Sequence, residues 1–567
     1  MQLKLISSFW LVAASLAMSL AWLLPNNSPP WLSFHKDAWV ASMLLLVSGW
    51  VLLPRRPTGP VTVPALFIAT LSCIPFLQHV FGLVPIFGIA WIHGLYLIGF
   101  ALALQTGYSW ESQSRGQVAD FLFLALGAAA LASSAMAIYQ WLGLRTDATS
   151  WILSNRFSNR YYANLAQPNL LGSLLMLGLV ALAWAHWRKK LNGWLTCLVA
   201  PLLLFGVVLT GSRTALLNLM ALTVLAVIWR KQLPNPRYLA AIFGLALFTL
   251  ICVSGLPNIN AFMGISEDRI PLEYRGLKDV RLEGWGMLFH AALEKPWFGF
   301  GWGQVAAANF SVLGRYPEQG AIWASAHNLV LDLIIWNGFP LGICIALAAA
   351  YWMLLLLRRS LSFDQILLVS ACAVLGVHAL LEFPLQYGYF LMPFGLIVGS
   401  LNASLALRTV FVAPWVASVF WLGVLISTAI TIKDYFNAET SVYGLRFEDK
   451  GIPTAIPKTP PDVLVLTQFY ESIKFARNVP KSGLSAHEIE EMRNIVLVMP
   501  SALTIQKLAA NLALNGQAAE AVDWLRKSCK SSSPELCQQM EMRWAVISKA
   551  NPSLLVAPWP VEFSNKK

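Results

Sequence analysis

The chain has 567 residues, 57% hydrophobic and 12% charged, with 40 Lys and Arg against 28 Asp and Glu for a formal net charge of +12. Its mean hydropathy of +0.60 excludes an ordinary soluble domain and indicates a polytopic membrane protein. The basic excess sits mostly in short loops between apolar runs, so it gives no support for a nucleic-acid partner.

Apolar runs long enough to cross a hydrocarbon core of about 30 Å are predicted at 6–24, 38–53, 62–80, 88–106, 118–140, 166–186, 193–210, 214–229, 238–256, 327–356, 364–381, 389–407 and 413–431. The expected fold is therefore all-α, a transmembrane helical bundle of about 12 to 13 spans. The first run follows Lys4 and has no small-residue cleavage site before Pro25-Asn26-Asn27, so it reads as a retained span. If the spans alternate, Arg55-Arg56, Arg188-Lys189-Lys190, Arg230-Lys231 and Arg358-Arg359 all fall on one side, the cytoplasmic one. That puts Arg213, the polar island 254–326, the loop Glu382 to Tyr387 and everything after Lys433 on the extracytoplasmic face. A membrane domain over 1–431 and a polar domain over 432–567 are expected.

Taken in order, the polar groups of that face begin with Gln167-Pro168-Asn169, where Pro168 suits a first helical turn. Gln167 and Asn169 either bind hydroxyl-rich ligands or simply cap the helix. Arg213, in Gly211-Ser212-Arg213-Thr214, runs against the positive-inside trend. It either snorkels to lipid headgroups or grips a phosphate through its planar fork. The island carries Arg269, Arg275 and Arg281 among Glu267, Asp268, Glu273, Asp279 and Glu283. Most of these read as a solvated, charge-balanced loop. Arg281 stands out because an amphipathic helix is predicted over 277–293, with Trp285 holding it near the membrane. Pro296 to Gly303, rich in glycine and aromatics, is predicted as a tight turn at the membrane surface.

His327 is predicted in the first turn of a long apolar helix capped by Ser325, where the helix end disfavours imidazolium and favours a neutral base. Glu382 and Tyr387 either touch sugar or acceptor or serve as interface anchors. The tail opens with Pro453, Pro457, Pro460 and Pro461, then turns helical: Ser485-Ala486-His487-Glu488 is a capping-box pattern, and 508–525 resembles one tetratricopeptide hairpin. Five of the seven cysteines lie in apolar runs, whereas Cys529 and Cys537 lie in the tail, an oxidising place under this topology, and are expected to form a disulfide. No HExxH, zinc-spaced Cys/His cluster, paired-Asp loop, Walker or Rossmann motif is found, so no metal, nucleotide or other cofactor is expected.

At these residues the chain resembles the O-antigen ligase/Wzy polymerase superfamily, and within it the PglL-type bacterial protein O-oligosaccharyltransferases. The resembling elements are Ala166-Gln167-Pro168-Asn169-Leu170-Leu171, Thr210-Gly211-Ser212-Arg213-Thr214, Arg281 through Pro296-Trp297-Phe298-Gly299-Phe300-Gly301-Trp302-Gly303, and His327-Asn328-Leu329 through Asn337-Gly338. Their order and topology jointly carry the resemblance, over roughly 140–430. It implies a GT-C-like bundle of the bacterial inner membrane that moves a preassembled glycan from undecaprenyl diphosphate to a periplasmic acceptor, without metal or nucleotide.

By motif, Arg213 and Arg281 would hold the diphosphate and His327 would activate the acceptor. Gln167 and Tyr387 match polar positions of the protein-glycosylating branch, with Tyr389 an alternative counterpart two residues on. Partners would be the lipid-linked glycan, membrane lipid, and a pilin or other periplasmic protein. A ligase or polymerase with a saccharide acceptor remains the second reading. A glycan transporter is a third, disfavoured by the lack of an internal repeat.

Overall fold

The computed structural model describes residues 2–53, 60–144, 151–155, 160–265, 280–318, 320–359, 361–405 and 408–563. A helix occupies each of the thirteen predicted apolar runs, from Gln2–Leu23 to Pro414–Asp449. The run 62–80 is broken into Val63–Leu71 and Ile74–Val80. Among the described residues nine helices are long and apolar enough to cross a membrane. The protein is an all-α, multi-pass membrane protein; its described strands are Pro60–Thr62 and Thr409–Phe411, paired antiparallel.

The chain forms two compact units. The first draws on Met1–Leu71, Tyr96–Lys278 and Tyr351–Thr428. At its centre lie the Pro168–Trp187 and Gly388–Leu405 helices, most of whose residues are buried. In lipid, helices gain little from apolar burial against one another and associate through close packing. Gly399 accordingly lies where a Cβ would press on the Leu104 carbonyl, and Gly107 does the same at Leu396.

The second unit draws on Ser72–Leu95, Asp279–Ala350 and Ala429–Lys567. The predicted amphipathic helix is Val280–Glu294; the start proposed at Leu277, together with Arg269 and Arg275, lies outside the described residues. The Pro296 to Gly303 run has a structural role beyond a simple turn. The Phe300 amide donates to the Ile335 carbonyl (2.7 Å) and the Phe339 amide to the Pro296 carbonyl (2.8 Å), which straps the run to the Leu329–Leu357 helix at its non-helical Gly338. Gly299 has φ +70° there, with backbone from Ile335 to Gly338 where a Cβ would sit, so the approach requires glycine.

The helix of the last apolar run does not end near 431. Pro414–Asp449 is one helix, so the expected boundary at 431/432 falls inside it. Asp434 on this helix accepts from the Leu464, Val465 and Leu466 amides at 2.8, 2.6 and 3.1 Å, fastening the proline-punctuated linker. The tail then holds five helices rather than a lone hairpin: Thr467–Arg477, Ala486–Val498, Ala502–Leu514, Ala518–Lys530 and Pro534–Ala550. The capping box at Ser485 and Glu488 forms as predicted. Cys529 and Cys537 are disulfide-bonded across the turn between the last two helices, with Cα atoms 4.9 Å apart. The closed loop is short, so replacing both cysteines by serine is expected to cost about 2–3 kcal/mol of tail stability. A melting point unchanged between oxidised wild type and the double variant would contradict a stabilising role.

Candidate active site

The polar groups of the first unit are organised around the start of the Pro168–Trp187 helix. The chain enters it through left-handed Ala163 (φ +49°) and Ala166 (φ +61°), an expensive conformation for a residue with a Cβ. Gln140, buried, holds this turn: its Oε1 accepts from the Ala163 amide (2.9 Å) and its Nε2 donates to the Ala163 carbonyl (3.1 Å). Pro168 takes the first helical position and Gln167 is the N-cap, but the Gln167 side chain does no capping and remains half-buried.

Asn169 does not open to solvent. It is buried, and its Oδ1 accepts from Arg160 Nη2 (2.8 Å) and Ser212 Oγ (2.8 Å) while its Nδ2 donates to Glu382 Oε1 (2.8 Å). Glu382 is 3% exposed, so in this structure it orders Asn169 rather than presenting a carboxylate to solvent. One turn along the same helix, Ser173 is hydrogen-bonded to His378 Nδ1 (2.7 Å), and Asn218 donates to Ser173 Oγ (3.3 Å). Asn169 and Ser173, and His378 and Glu382, are i,i+4 pairs, so two polar layers stack across the helices.

Arg213 is the first residue of Arg213–Ile228 and is exposed. Ser212, its N-cap, accepts from the Ala215 amide (3.2 Å), and left-handed Gly211 ends Gly193–Thr210. A cation at a helix N-terminus is disfavoured by the helix dipole, whereas an anion there gains from both the dipole and the guanidinium.

Tyr387 and Tyr389 are separated by their burial. Tyr389 is 1% exposed and its amide donates to Asp37 Oδ1 (3.4 Å), so its ring is a core element. Tyr387 is half-buried and packs on it at 5.3 Å between ring centroids, leaving Tyr387 the tyrosine with an accessible surface. Asp37 also accepts from Ser33 Oγ (2.5 Å) and Tyr96 Oη (2.8 Å), a buried network in which sequence reasoning assigned no role.

In the second unit His327 is not in the helix. It precedes Leu329–Leu357 with φ +51°, and Asn328 rather than Ser325 caps, its Oδ1 accepting from the Val330 (3.0 Å) and Leu331 (3.1 Å) amides. Ser325 is otherwise engaged: its Oγ donates to Asp332 Oδ2 (2.8 Å) and accepts from the His327 amide (3.1 Å), while the Ala326 amide donates to Asp332 Oδ1 (2.7 Å). The carboxylate on the first helical turn thus clamps the segment that holds His327 in a strained conformation. Trp323 packs edge-on to the imidazole at 5.6 Å.

Arg281 lies on the face of Val280–Glu294 that meets this segment. Gly284 and Trp285, three and four residues on, share its face. A Cβ on Gly284 would stand 2.5 Å from the Trp323 ring, and Trp285 Nε1 donates to the Ala326 carbonyl (2.8 Å). The tail supports the same segment: Trp524 packs on Phe310 at 5.5 Å, neighbouring Asn309 accepts from the Trp323 amide (3.4 Å), and Lys530 Nζ donates to the Gly314 (2.8 Å) and Tyr316 (2.9 Å) carbonyls.

Asp332→Asn keeps the size but weakens the clamp, and is expected to slow turnover about tenfold through His327 placement. Turnover at the wild-type rate would show that the latch is dispensable. Arg160, Ser173, Asn218, Asp332 and His378 escaped the sequence reading. For Asp332 and His378 a signal existed, an ionisable residue inside an apolar run. Arg160 gave none.

Residues 198–346 match the family described as O-Antigen ligase, and residues 366–530 the one described as Virulence factor membrane-bound polymerase, C-terminal. The chain is 29% identical over 523 residues, 89% of each chain, to the general O-oligosaccharyltransferase of Acinetobacter baylyi. Over these stretches the chain is similar to O-antigen ligases and to a protein O-oligosaccharyltransferase. A ComP-specific O-oligosaccharyltransferase of the same organism is 29% identical over 254 residues, 44% of this chain and 46% of that protein. The protein is a membrane glycosyltransferase. The first of its two matched stretches takes in Arg213, Arg281 and His327, and the second takes in Glu382, Tyr387 and the tail to Lys530.

Proposed function

We propose that the protein transfers a preassembled oligosaccharide en bloc from undecaprenyl diphosphate to Ser or Thr hydroxyls of periplasmic proteins, pilins among them. The observation that carries this reading is the similarity to a general O-oligosaccharyltransferase along 89% of both chains. Arg213 and Arg281 hold the diphosphate, and His327 takes the proton of the attacking hydroxyl. Gln167 and Tyr387 line the glycan or acceptor side, with Asn169 and Glu382 behind them. The active site and tail face the periplasm from the inner membrane.

The chemistry fits these side chains. Negative charge grows on the diphosphate as the glycosidic bond breaks, so fixed guanidinium groups favour the transition state over the ground state. A hydroxyl is a weak nucleophile at neutral pH and benefits from a base in hydrogen-bond reach. Direct attack by the hydroxyl inverts the anomeric carbon.

The match to the O-antigen ligase family over 198–346 favours a second reading, with a saccharide acceptor. Intact-mass analysis of periplasmic proteins from cells with and without the gene separates the two. A mass increment of one whole oligosaccharide on proteins, lost with the gene, is expected. Unmodified proteins alongside a loss of long glycan on lipid would favour the saccharide acceptor.

The tail is assigned to acceptor recognition. Because Trp524 and Lys530 also brace the segment leading to His327, deletion of the tail is a blunt test. Substitutions on the exposed face of Ala486–Val498 are cleaner, and are expected to raise the KM for acceptor protein and leave the KM for donor unchanged. Equal effects on both would remove the recognition role.

A further inference from the structure

Arg160 is anchored at the start of the Pro168–Trp187 helix by two side-chain hydrogen bonds. Its Nε donates to the Thr210 carbonyl and its Nη2 to Asn169 Oδ1, both at 2.8 Å. The two acceptors bracket one turn. Thr210 is the last residue of Gly193–Thr210, and Asn169 Oδ1 also receives the Ser212 hydroxyl (2.8 Å). Between them lies Gly211 with φ +56°, and the Arg160 side chain passes 3.6 Å from where a Cβ on that glycine would be. A single guanidinium therefore grips the residue before the turn directly, and the residue after it through a shared amide. Arg213 is the next residue in the chain.

The helix dipoles assign different tasks to the two arginines. Arg160 meets a carbonyl at the C-terminal end of a helix, where positive charge is stabilised. Arg213 opens the following helix, an end at which the dipole favours a bound anion. The chain continues from Asn169 Nδ2 to buried Glu382 (2.8 Å), which balances Arg160 through the amide. The fork geometry matters, because one ammonium cannot reproduce two N–H donors held in a plane towards two acceptors.

We propose that Arg160 is a positioning residue for Arg213, locking the Thr210-Gly211-Ser212 turn so that the Arg213 guanidinium meets the donor diphosphate without reorganisation. This rests on the assignment of Arg213 to the diphosphate. A positioning role predicts coupling: once Arg213 no longer has its fork, the exact set of the turn ceases to matter.

The test is a double-mutant cycle on the full-length protein, with purified lipid-linked oligosaccharide titrated against wild type, Arg160→Gln, Arg213→Lys and the pair. Arg160→Gln alone is expected to lower kcat/KM for the donor about tenfold or more, and in the Arg213→Lys background by about threefold or less. Arg160→Lys, which keeps the charge and one donor, is measured beside it and is expected to fall between wild type and Arg160→Gln; it closes the cycle if glutamine lowers the yield of folded protein. Equal fold-losses of Arg160→Gln in both backgrounds would overturn the positioning role, since they would mean that Arg160 acts independently. Wild-type rates in Arg213→Lys would instead remove the diphosphate assignment, and the inference with it.

Discussion

Replacing His327 with alanine is expected to cut turnover about 10²- to 10⁴-fold, the usual range for loss of a general base, with donor affinity almost unchanged. A base acts on a hydroxyl that begins to lose its proton only as the transition state is approached, so its removal falls on kcat and not on ground-state binding. The structure gives reason to expect a specific rather than a global effect. The backbone at His327 is held by hydrogen bonds among its own amide, Ser325, the Ala326 amide and Asp332 that remain available when the ring is removed. If donor affinity fell in step with turnover, His327 would be reassigned to substrate binding.

Arg213→Lys and Arg281→Lys keep the charge and are each expected to lower kcat/KM about tenfold to a hundredfold, approaching the loss seen when a transition-state donor is deleted. The cause is geometric: a guanidinium offers two parallel N–H donors to a phosphate, while an ammonium offers a point charge on a flexible stem. At Arg213 the helix start adds its dipole to the pull of the guanidinium on the anion. Near-normal rates in both variants, at normal amounts of folded protein, would remove the diphosphate role from this pair.

Much of the architecture was legible in the sequence because a bilayer imposes a simple code: a helix stands at each of the thirteen apolar runs. Local chemistry was legible where a motif fixes the backbone, as with Pro168 at the first helical position and the Ser485 and Glu488 capping box. The failures have physical causes. Ser325 is a good cap by type, but Asp332 competes for its hydroxyl and Asn328 takes over the capping. Asn169 and Glu382 looked like surface groups because they lie at helix starts and loops, yet residues more than 200 positions apart bury one another. Arg160 gave no local signal, since its partners Thr210 and Asn169 are brought to it by tertiary packing. The last helix outruns the span expected to 431 because the apolar run stops there while the helix continues through polar residues to Asp449.

The central claim, transfer of an intact oligosaccharide to a protein hydroxyl, is tested most directly by reconstitution. The purified protein, a lipid-linked oligosaccharide and a pilin acceptor are incubated in detergent or vesicles, and the acceptor is weighed intact and sequenced by fragmentation. One increment equal to the whole oligosaccharide, placed on a Ser or Thr and absent with the His327→Ala protein, is the predicted result. An acceptor that stays at its unmodified mass while the oligosaccharide is joined to another saccharide would contradict it.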